Sequence, residues 1–221
     1  MKHVKVFIIL DKSGSMESCR NETITGFNEQ LETIRENAKL VKSTTVSLII
    51  FNQDVDFYCF DAPINKVKKL TTKTYNPSGY TAMYDAVGAC LDRAIKEIPD
   101  REDNAYLVII ISDGEENSSR NYTAKNVADK VQELQDSGKW TFTYLGANQD
   151  LTKIQQELKI PLGNMAMYAA NSIGTQYANT IRNSAISGYF GCCAKDVSAM
   201  NTFYGGVGKI RNLTKEDITN E

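Results

Sequence analysis

The chain has 221 residues, of which 42% are hydrophobic, and a formal net charge of −2. This length and composition suffice for one domain with a buried core, followed by a tail. The charges of both signs are interspersed, so no basic stripe is available, and nucleic acid is excluded as the expected partner. The five cysteines, an odd number without Cys-x-x-Cys spacing, indicate reduced thiols and a reducing compartment.

The first half of the chain predicts three strands and one helix. An apolar run over residues 4–10 predicts a buried strand. This run is too short for a signal peptide or a membrane span, so we expect no membrane association and a cytoplasmic location. Residues 24–38 carry apolar side chains at steps of three and four, which predicts an amphipathic helix. Residues 44–51 and 55–60 predict a hairpin, so one edge strand should be antiparallel.

In the middle of the chain, strands and helices alternate. Residues 81–98 predict a helix, which ends before Pro99. Residues 105–111 form a second apolar run and predict a buried strand. Residues 124–138 predict a helix that ends at a glycine, and residues 139–145 predict the next strand.

The last predicted elements are a short helix over residues 151–158, a strand over 165–168 and a helix over 173–185. The helical periodicity fails at about residue 191, so we predict a domain over residues 1–190 and an irregular, flexible tail over 191–221. Strands that alternate with helices predict a doubly wound α/β fold. Its central sheet should be mostly parallel, with one antiparallel edge strand and helices on both faces.

Oxygen-bearing side chains follow the two apolar strands. Asp11, Ser13 and Ser15 come directly after the first strand, and Asp113 comes directly after the second apolar run. Thr81 offers a further hydroxyl at the start of the predicted helix. A doubly wound sheet binds ligands at the carboxyl ends of its strands, at the point where the strand order reverses. Small hard cations prefer oxygen ligands. The pattern predicts a site for one divalent cation.

This pattern, Asp-x-Ser-x-Ser followed by a distant Thr and a distant Asp, resembles the von Willebrand factor A domain family, in its stand-alone bacterial or phage type. The resemblance covers roughly residues 3–190. It implies a vWA/Rossmann-like fold and a complete metal-ion-dependent adhesion site for Mg²⁺ or Mn²⁺, with Ca²⁺ as a further option. The residues that match the family's ligand positions are Asp11, Ser13, Ser15, Thr81 and Asp113.

The resemblance implies a metal-dependent protein interaction module. We expect no catalytic activity, because position 13 lacks an acid/base carboxylate and the only histidine, His3, lies at the N-terminus. Two aspartates neutralise a divalent cation, whereas the hydroxyls add no charge, so the cation stays electrophilic at any open coordination position. An acidic residue of a partner protein would fill that position. We expect the site residues to lie outside the core, so that their replacement leaves the fold intact.

Two other functions stay open. A Mg²⁺-dependent phosphatase of the haloacid dehalogenase type also places an aspartate after the first strand, but it needs a second carboxylate two residues later, where this chain has Ser13. The third function is a structural or assembly subunit that self-associates. An acidic side chain of the mobile tail would then enter the metal site of a neighbouring copy, and the candidate acids are Glu216, Asp217 and Glu221.

Each site residue also has a purely structural interpretation. Aspartate, serine and threonine at these positions can cap helices or open turns, and only their joint order and placement favour a metal site. Three neighbouring side chains are expected to have no direct role in the site. Glu115 and Glu116 should form a solvated rim, and Tyr80 should pack within its loop.

Overall fold

The computed structural model describes residues 1–147, 150–168, 172–196 and 203–204. Within these residues, six strands form one sheet in the order β3-β2-β1-β4-β5-β6. All neighbouring pairs are parallel except β2 and β3, which are antiparallel. This arrangement confirms the predicted fold class and its antiparallel edge strand. The strands are β1 His3–Asp11, β2 Ser43–Phe51, β3 Val55–Pro63, β4 Asn104–Ser112, β5 Trp140–Ala147 and β6 Met165–Tyr168.

Helices cover both faces of the sheet, and the side chains of β1 explain why. Val6 and Ile8 belong to one core cluster, and Phe7 and Ile9 belong to another. The two clusters alternate along the strand because successive side chains point to opposite faces of the sheet. Both faces must therefore be apolar, which gives the continuous hydrophobic run. Helices α1 and α5 contribute to the first cluster, and α2, α3 and α4 to the second. The helices are α1 Arg20–Asn37, α2 Met83–Glu97, α3 Ala124–Asp136, α4 Leu151–Leu158 and α5 Ser172–Lys195.

The C-terminal region differs from its prediction. Helix α5 continues to Lys195, so the predicted end of the helical periodicity at residue 191 is wrong. Phe203 and Tyr204 are buried, which contradicts an irregular, flexible segment at these two positions. The Phe203 backbone N–H donates to Asn164 Oδ1 (2.8 Å), and the Tyr204 N–H donates to the Gly163 carbonyl (2.9 Å). The rest of the predicted tail lies outside the described residues.

The sheet order places the predicted site at the centre of the sheet. Strands β1 and β4 are neighbours, and Leu10 pairs with Ile111 just before both strands end. The strand that follows β1 in the chain, β2, lies on one side of this pair, and the strand that follows β4, β5, lies on the other side. The carboxyl ends of β1 and β4 therefore form the crevice in which doubly wound folds bind ligands. None of the described helices combines the length and apolar composition that a membrane-spanning segment requires.

Candidate metal site

The two aspartates lie beside each other at the ends of β1 and β4. Asp11 is the last residue of β1, and Asp113 directly follows β4. Asp11 is completely buried, which contradicts the expectation that the site residues lie outside the core. Its burial follows from the central place of β1, since the strand has a neighbour on either side. Asp113 is only half-buried and lies nearer to solvent.

The serine loop after β1 connects the two carboxylates. The Ser13 backbone N–H donates to Asp11 Oδ1 (2.6 Å), and the Ser13 and Ser15 hydroxyls lie 3.1 Å apart. The Ser15 hydroxyl donates to Asp113 Oδ1 (2.6 Å). Four of the five predicted side chains therefore form one continuous network across the two strand ends. Ser13 is buried within it and Ser15 is exposed.

Thr81 joins this group from the loop that precedes α2. The helix begins at Met83, two residues later than predicted, so Thr81 lies in the loop and not in the helix. Its backbone N–H donates to Asn117 Oδ1 (2.9 Å), and its carbonyl accepts from the N–H groups of Asn117 (3.0 Å) and Ser118 (3.1 Å). The segment after β4 thus fixes the position of Thr81 through hydrogen bonds to both its backbone N–H and its backbone carbonyl.

Gly114 shows how closely the side-chain oxygens converge. A Cβ atom at this residue would lie 2.7 Å from Thr81 Oγ1 and 3.5 Å from both Asp11 Oδ2 and Ser13 Oγ. Three oxygens of the predicted ligands therefore surround one point beside the Gly114 backbone. The structure thus brings together all five residues that the sequence singled out.

Two residues that the sequence analysis missed hold Asp11 in place. The Ser112 hydroxyl donates to Asp11 Oδ2 (2.6 Å), and the buried Tyr75 hydroxyl donates to the Asp11 backbone carbonyl (2.6 Å). Ser112 directly precedes Asp113, so its place at the strand end was a usable signal. Tyr75 lies in an irregular segment between β3 and α2, where nothing in the sequence pattern points to the site.

The neighbouring side chains only partly follow their predictions. Glu115 is exposed and forms an ion pair with Lys153 (3.5 Å), as a solvated rim residue would. Glu116 does not belong to this rim, because its carboxylate accepts the Tyr84 N–H (3.0 Å) and the Ser119 N–H (2.7 Å) and so caps the start of α2. The prediction that Tyr80 packs within its loop is also wrong, since Tyr80 is 67% exposed.

The electrostatics and the donor set of the site fit a hard divalent cation. Burial raises the pKa of Asp11 to about 6, against the opposing effect of the hydrogen bonds from Ser112 and Ser13. Burial also raises the pKa of Asp113. Two carboxylates in a poorly solvated place require positive charge to stay ionised together. All candidate ligand atoms are oxygens, which suits Mg²⁺, Mn²⁺ or Ca²⁺. No cluster of three His, Cys, Asp or Glu suited to a metal occurs among the described residues.

Replacing Gly114 by alanine should weaken cation binding without unfolding the protein. The new Cβ would lie 2.7 Å from Thr81 Oγ1, so the Thr81 side chain must move away from the convergence point. We expect a loss of Mg²⁺ or Mn²⁺ affinity of about tenfold, in the range found when the surroundings of metal ligands are changed. Calorimetric titration measures it.

The control is Gly188→Ala in α5, where a Cβ would meet no atom within 4 Å. This variant should bind the cation as the wild type does. Equal affinity in Gly114→Ala and Gly188→Ala would show that the cation does not bind at this convergence point.

Comparisons with known proteins show the same fold in other structures. By structure, the chain is similar to proximal thread matrix protein 1 from the mussel byssus, with a TM-score of 0.60, 12% identity and coverage of 83% of this chain and 48% of that one. That mussel protein also has a structure with a zinc-occupied MIDAS motif, at a TM-score of 0.50. The manganese-loaded TRAP protein of Plasmodium vivax has a TM-score of 0.55 and 15% identity, over 79% of this chain and 72% of that one.

A third similar structure is a von Willebrand factor type A protein from Catenulispora acidiphila. It has a TM-score of 0.52 and 16% identity, over 85% of this chain and 43% of that one. The chain therefore spans less than half of the mussel and Catenulispora proteins. A sequence search of curated proteins found no significant match. The family profile of the von Willebrand factor type A domain matches residues 5–178. The chain therefore belongs to the von Willebrand factor type A domain family.

Proposed function

We propose that the chain is a metal-ion-dependent protein interaction module. Asp11, Ser13, Ser15, Thr81 and Asp113 would hold one divalent cation, and an acidic residue of a partner protein would complete its coordination. The observation that carries this proposal is the convergence of the Thr81, Asp11 and Ser13 oxygens on one point at the carboxyl ends of β1 and β4. The manganese and zinc found in similar structures support the class of cation.

The distribution of burial in the site supports a binding role. Asp11, Ser13 and Thr81 are buried and form the inner side, whereas Ser15 is exposed and Asp113 half-buried. A cation among these residues would be shielded by the fold on one side and open to a partner on the other. The hydroxyl ligands are neutral, so a bound cation would offer an electrophilic position to a carboxylate.

We further propose that the chain is not a catalyst. The phosphatase alternative requires a carboxylate acid or base at position 13, but this residue is a serine, whose hydroxyl lies 3.1 Å from the Ser15 hydroxyl. The single histidine, His3, begins β1 and so lies at the opposite end of the strand from Asp11. Magnesium-dependent turnover of a phosphate monoester, abolished by Asp11→Asn, would overturn this part of the proposal.

The metal-dependent interaction can be tested with one matched pair of variants. Asp113→Ala removes a half-buried carboxylate of the site, whereas Asp129→Ala removes an exposed carboxylate on α3 that pairs only with Lys125. Wild type and Asp129→Ala should be stabilised against heat by Mg²⁺ or Mn²⁺ and should retain the same partner protein from a lysate of the source organism. Asp113→Ala should show neither effect, and chelator should release the partner.

Two results would contradict the proposal. Metal-dependent stabilisation that persists in Asp113→Ala would move the cation away from this site. A partner that remains bound in chelator would show that the interaction does not depend on the cation. Self-association through Glu216, Asp217 or Glu221 stays a prediction, because these residues lie outside the described part of the chain.

A further inference from the structure

A second polar site lies inside the domain, between the sheet and the helix pair α1 and α5. It is a cavity of about 10 Å³, which is the space of a single water-sized ligand. Apolar side chains of β1 and β4 form its floor, and Thr23, Tyr168, Asn179 and Arg182 supply polar groups to its wall. The cavity uses none of the five residues assigned to the metal site.

Arg182 is the unusual member of this wall. It lies in the middle of α5 and is only 3% exposed. Its Nη2 group donates to the Gly26 carbonyl of α1 (3.1 Å) and to Asn179 Oδ1 (2.9 Å), whereas its Nε group has no hydrogen-bond partner among the residues that the structure describes. Both partners are neutral. No salt bridge of the described residues includes Arg182.

Gly26 explains how the guanidinium comes to lie so deep. A Cβ at Gly26 would overlap the Asn179 side chain at 2.1 Å, so glycine at this position leaves the room that Asn179 occupies against α1. The same approach brings Asn179 Nδ2 to the Glu22 carbonyl (3.3 Å). The helix pair is therefore joined by side chains of α5 that donate to backbone carbonyls of α1, and Arg182 is buried at this junction.

Among the described residues, no ionised side chain of opposite charge contacts Arg182. Burial lowers the pKa of Arg182, but a guanidinium still carries its proton at neutral pH. Glu29 of α1 acts on Arg182 only at a distance. Tyr168 cannot supply a negative charge, because burial raises the pKa of its hydroxyl. Burying a charge without an ionised partner is unfavourable, and a small anion in an adjoining cavity would offset that cost.

We propose that this cavity binds one small monovalent anion, of the halide class, against the guanidinium of Arg182. The unpartnered Nε group and the lack of a carboxylate at Arg182 among the described residues point to an anion. The small cavity limits it to a single monatomic ion, for which the lining side chains must move slightly apart because a halide is larger than a water molecule. A polyatomic anion such as gluconate would not fit. A bound halide would fasten α5 to α1 and the sheet from within, independently of the divalent cation.

Thermal unfolding in chelator tests the proposal, with sodium chloride compared with sodium gluconate at equal ionic strength. Chloride at roughly ten times its dissociation constant should raise the unfolding midpoint of the wild type by about 4 °C. Arg182→Met keeps a long side chain but removes the charge, so its midpoint should be the same in both salts. Arg35→Met is the matched control on α1, because Arg35 also donates to a backbone carbonyl, that of Val67 (2.8 Å), and it should keep the full shift.

Equal midpoints of the wild type in both salts would overturn the proposal and leave water as the occupant. A chloride shift that persists in Arg182→Met would overturn it as well, because the halide would then bind elsewhere. Crystals of the wild type grown with bromide give a second test that does not depend on a variant. An anomalous peak beside the Arg182 guanidinium supports the site, and its absence there contradicts it.

Discussion

Asp11→Asn should remove the stabilisation that Mg²⁺ or Mn²⁺ gives to the wild type and should weaken cation binding by at least about 100-fold. The substitution removes one of the two carboxylates of the site. It keeps an oxygen that can accept the Ser13 N–H, and its amide group can donate to the Ser112 hydroxyl. The fold should therefore survive although Asp11 is buried, and the loss of binding can be assigned to the missing charge.

In chelator, the same substitution should also remove a pH dependence of the free energy of unfolding. Burial raises the pKa of Asp11 to about 6, whereas the unfolded chain titrates at the ordinary aspartate value of 3.8. Because the folded state holds the proton more tightly, the contribution of Asp11 is fully present below about pH 4 and is lost as the pH rises through about 6. The wild type should lose about 3 kcal/mol relative to Asp11→Asn across this window.

Urea unfolding of both proteins across this pH range, with chelator and with saturating Mg²⁺, measures the effect. Mg²⁺ should reverse the slope of the wild type, because the cation binds the ionised carboxylate. Parallel pH profiles of the two proteins in chelator would contradict the raised pKa. Stabilisation of Asp11→Asn by the cation would show that Asp11 is not an essential ligand.

The second large effect is expected for Asp85→Ala in α2. Asp85 is buried, and its carboxylate accepts the backbone N–H groups of Arg120 (2.9 Å), Asn121 (2.8 Å) and Tyr122 (2.8 Å). Alanine leaves these three donors without their acceptor. We expect a loss of about 3 kcal/mol in the free energy of unfolding, because each partly buried donor contributes about 1 kcal/mol.

Cation affinity should fall in the same variant, since the loosened segment directly follows Asn117 and Ser118, which hold Thr81. Urea unfolding in chelator and calorimetric titration of Mn²⁺ measure the two effects. Glu97→Ala is the control on the same helix, because Glu97 forms only an exposed pair with Arg93 and should change stability by less than about 1 kcal/mol. A similar loss of stability in both variants would contradict the role of Asp85.

The arrangement of the sheet could be predicted because its signals are local. The run over residues 4–10 is apolar at every position but Lys5, which is typical of a strand covered on both faces. The link between residues 51 and 55 is too short for a crossover, so only an antiparallel pair was possible. The C-terminal end of α5 could not be predicted from such local signals. Gly188 and Gly191 interrupt its apolar spacing, and the contacts of this helix with α1 and the sheet override their low helix propensity.

The proximity of the five candidate residues could be predicted because an Asp-x-Ser-x-Ser segment and an aspartate both follow apolar strands. The residues that hold this site in place could not be predicted, because their contacts join positions far apart in the sequence. Tyr75 reaches the Asp11 carbonyl from a segment without regular structure. The sequence does not distinguish Arg182 from a surface arginine of a helix, and only the packing of α5 against α1 shows that it is buried. The partner, the metal, the cytoplasmic location and the stand-alone bacterial or phage type stay predictions.

The site also depends on which strands of the sheet unfold locally and which unfold only globally. Asp11 and Asp113 follow β1 and β4, and two further strands lie beyond this pair on either side. Either margin of the sheet can open and close while both carboxylates remain in position. A cation bound there slows only those backbone amides that exchange through global unfolding, and leaves local opening of β3 or β6 unchanged. Occupancy of the site by a cation would thus depend on the integrity of the central strands, and the proposed partner binding would depend on it as well.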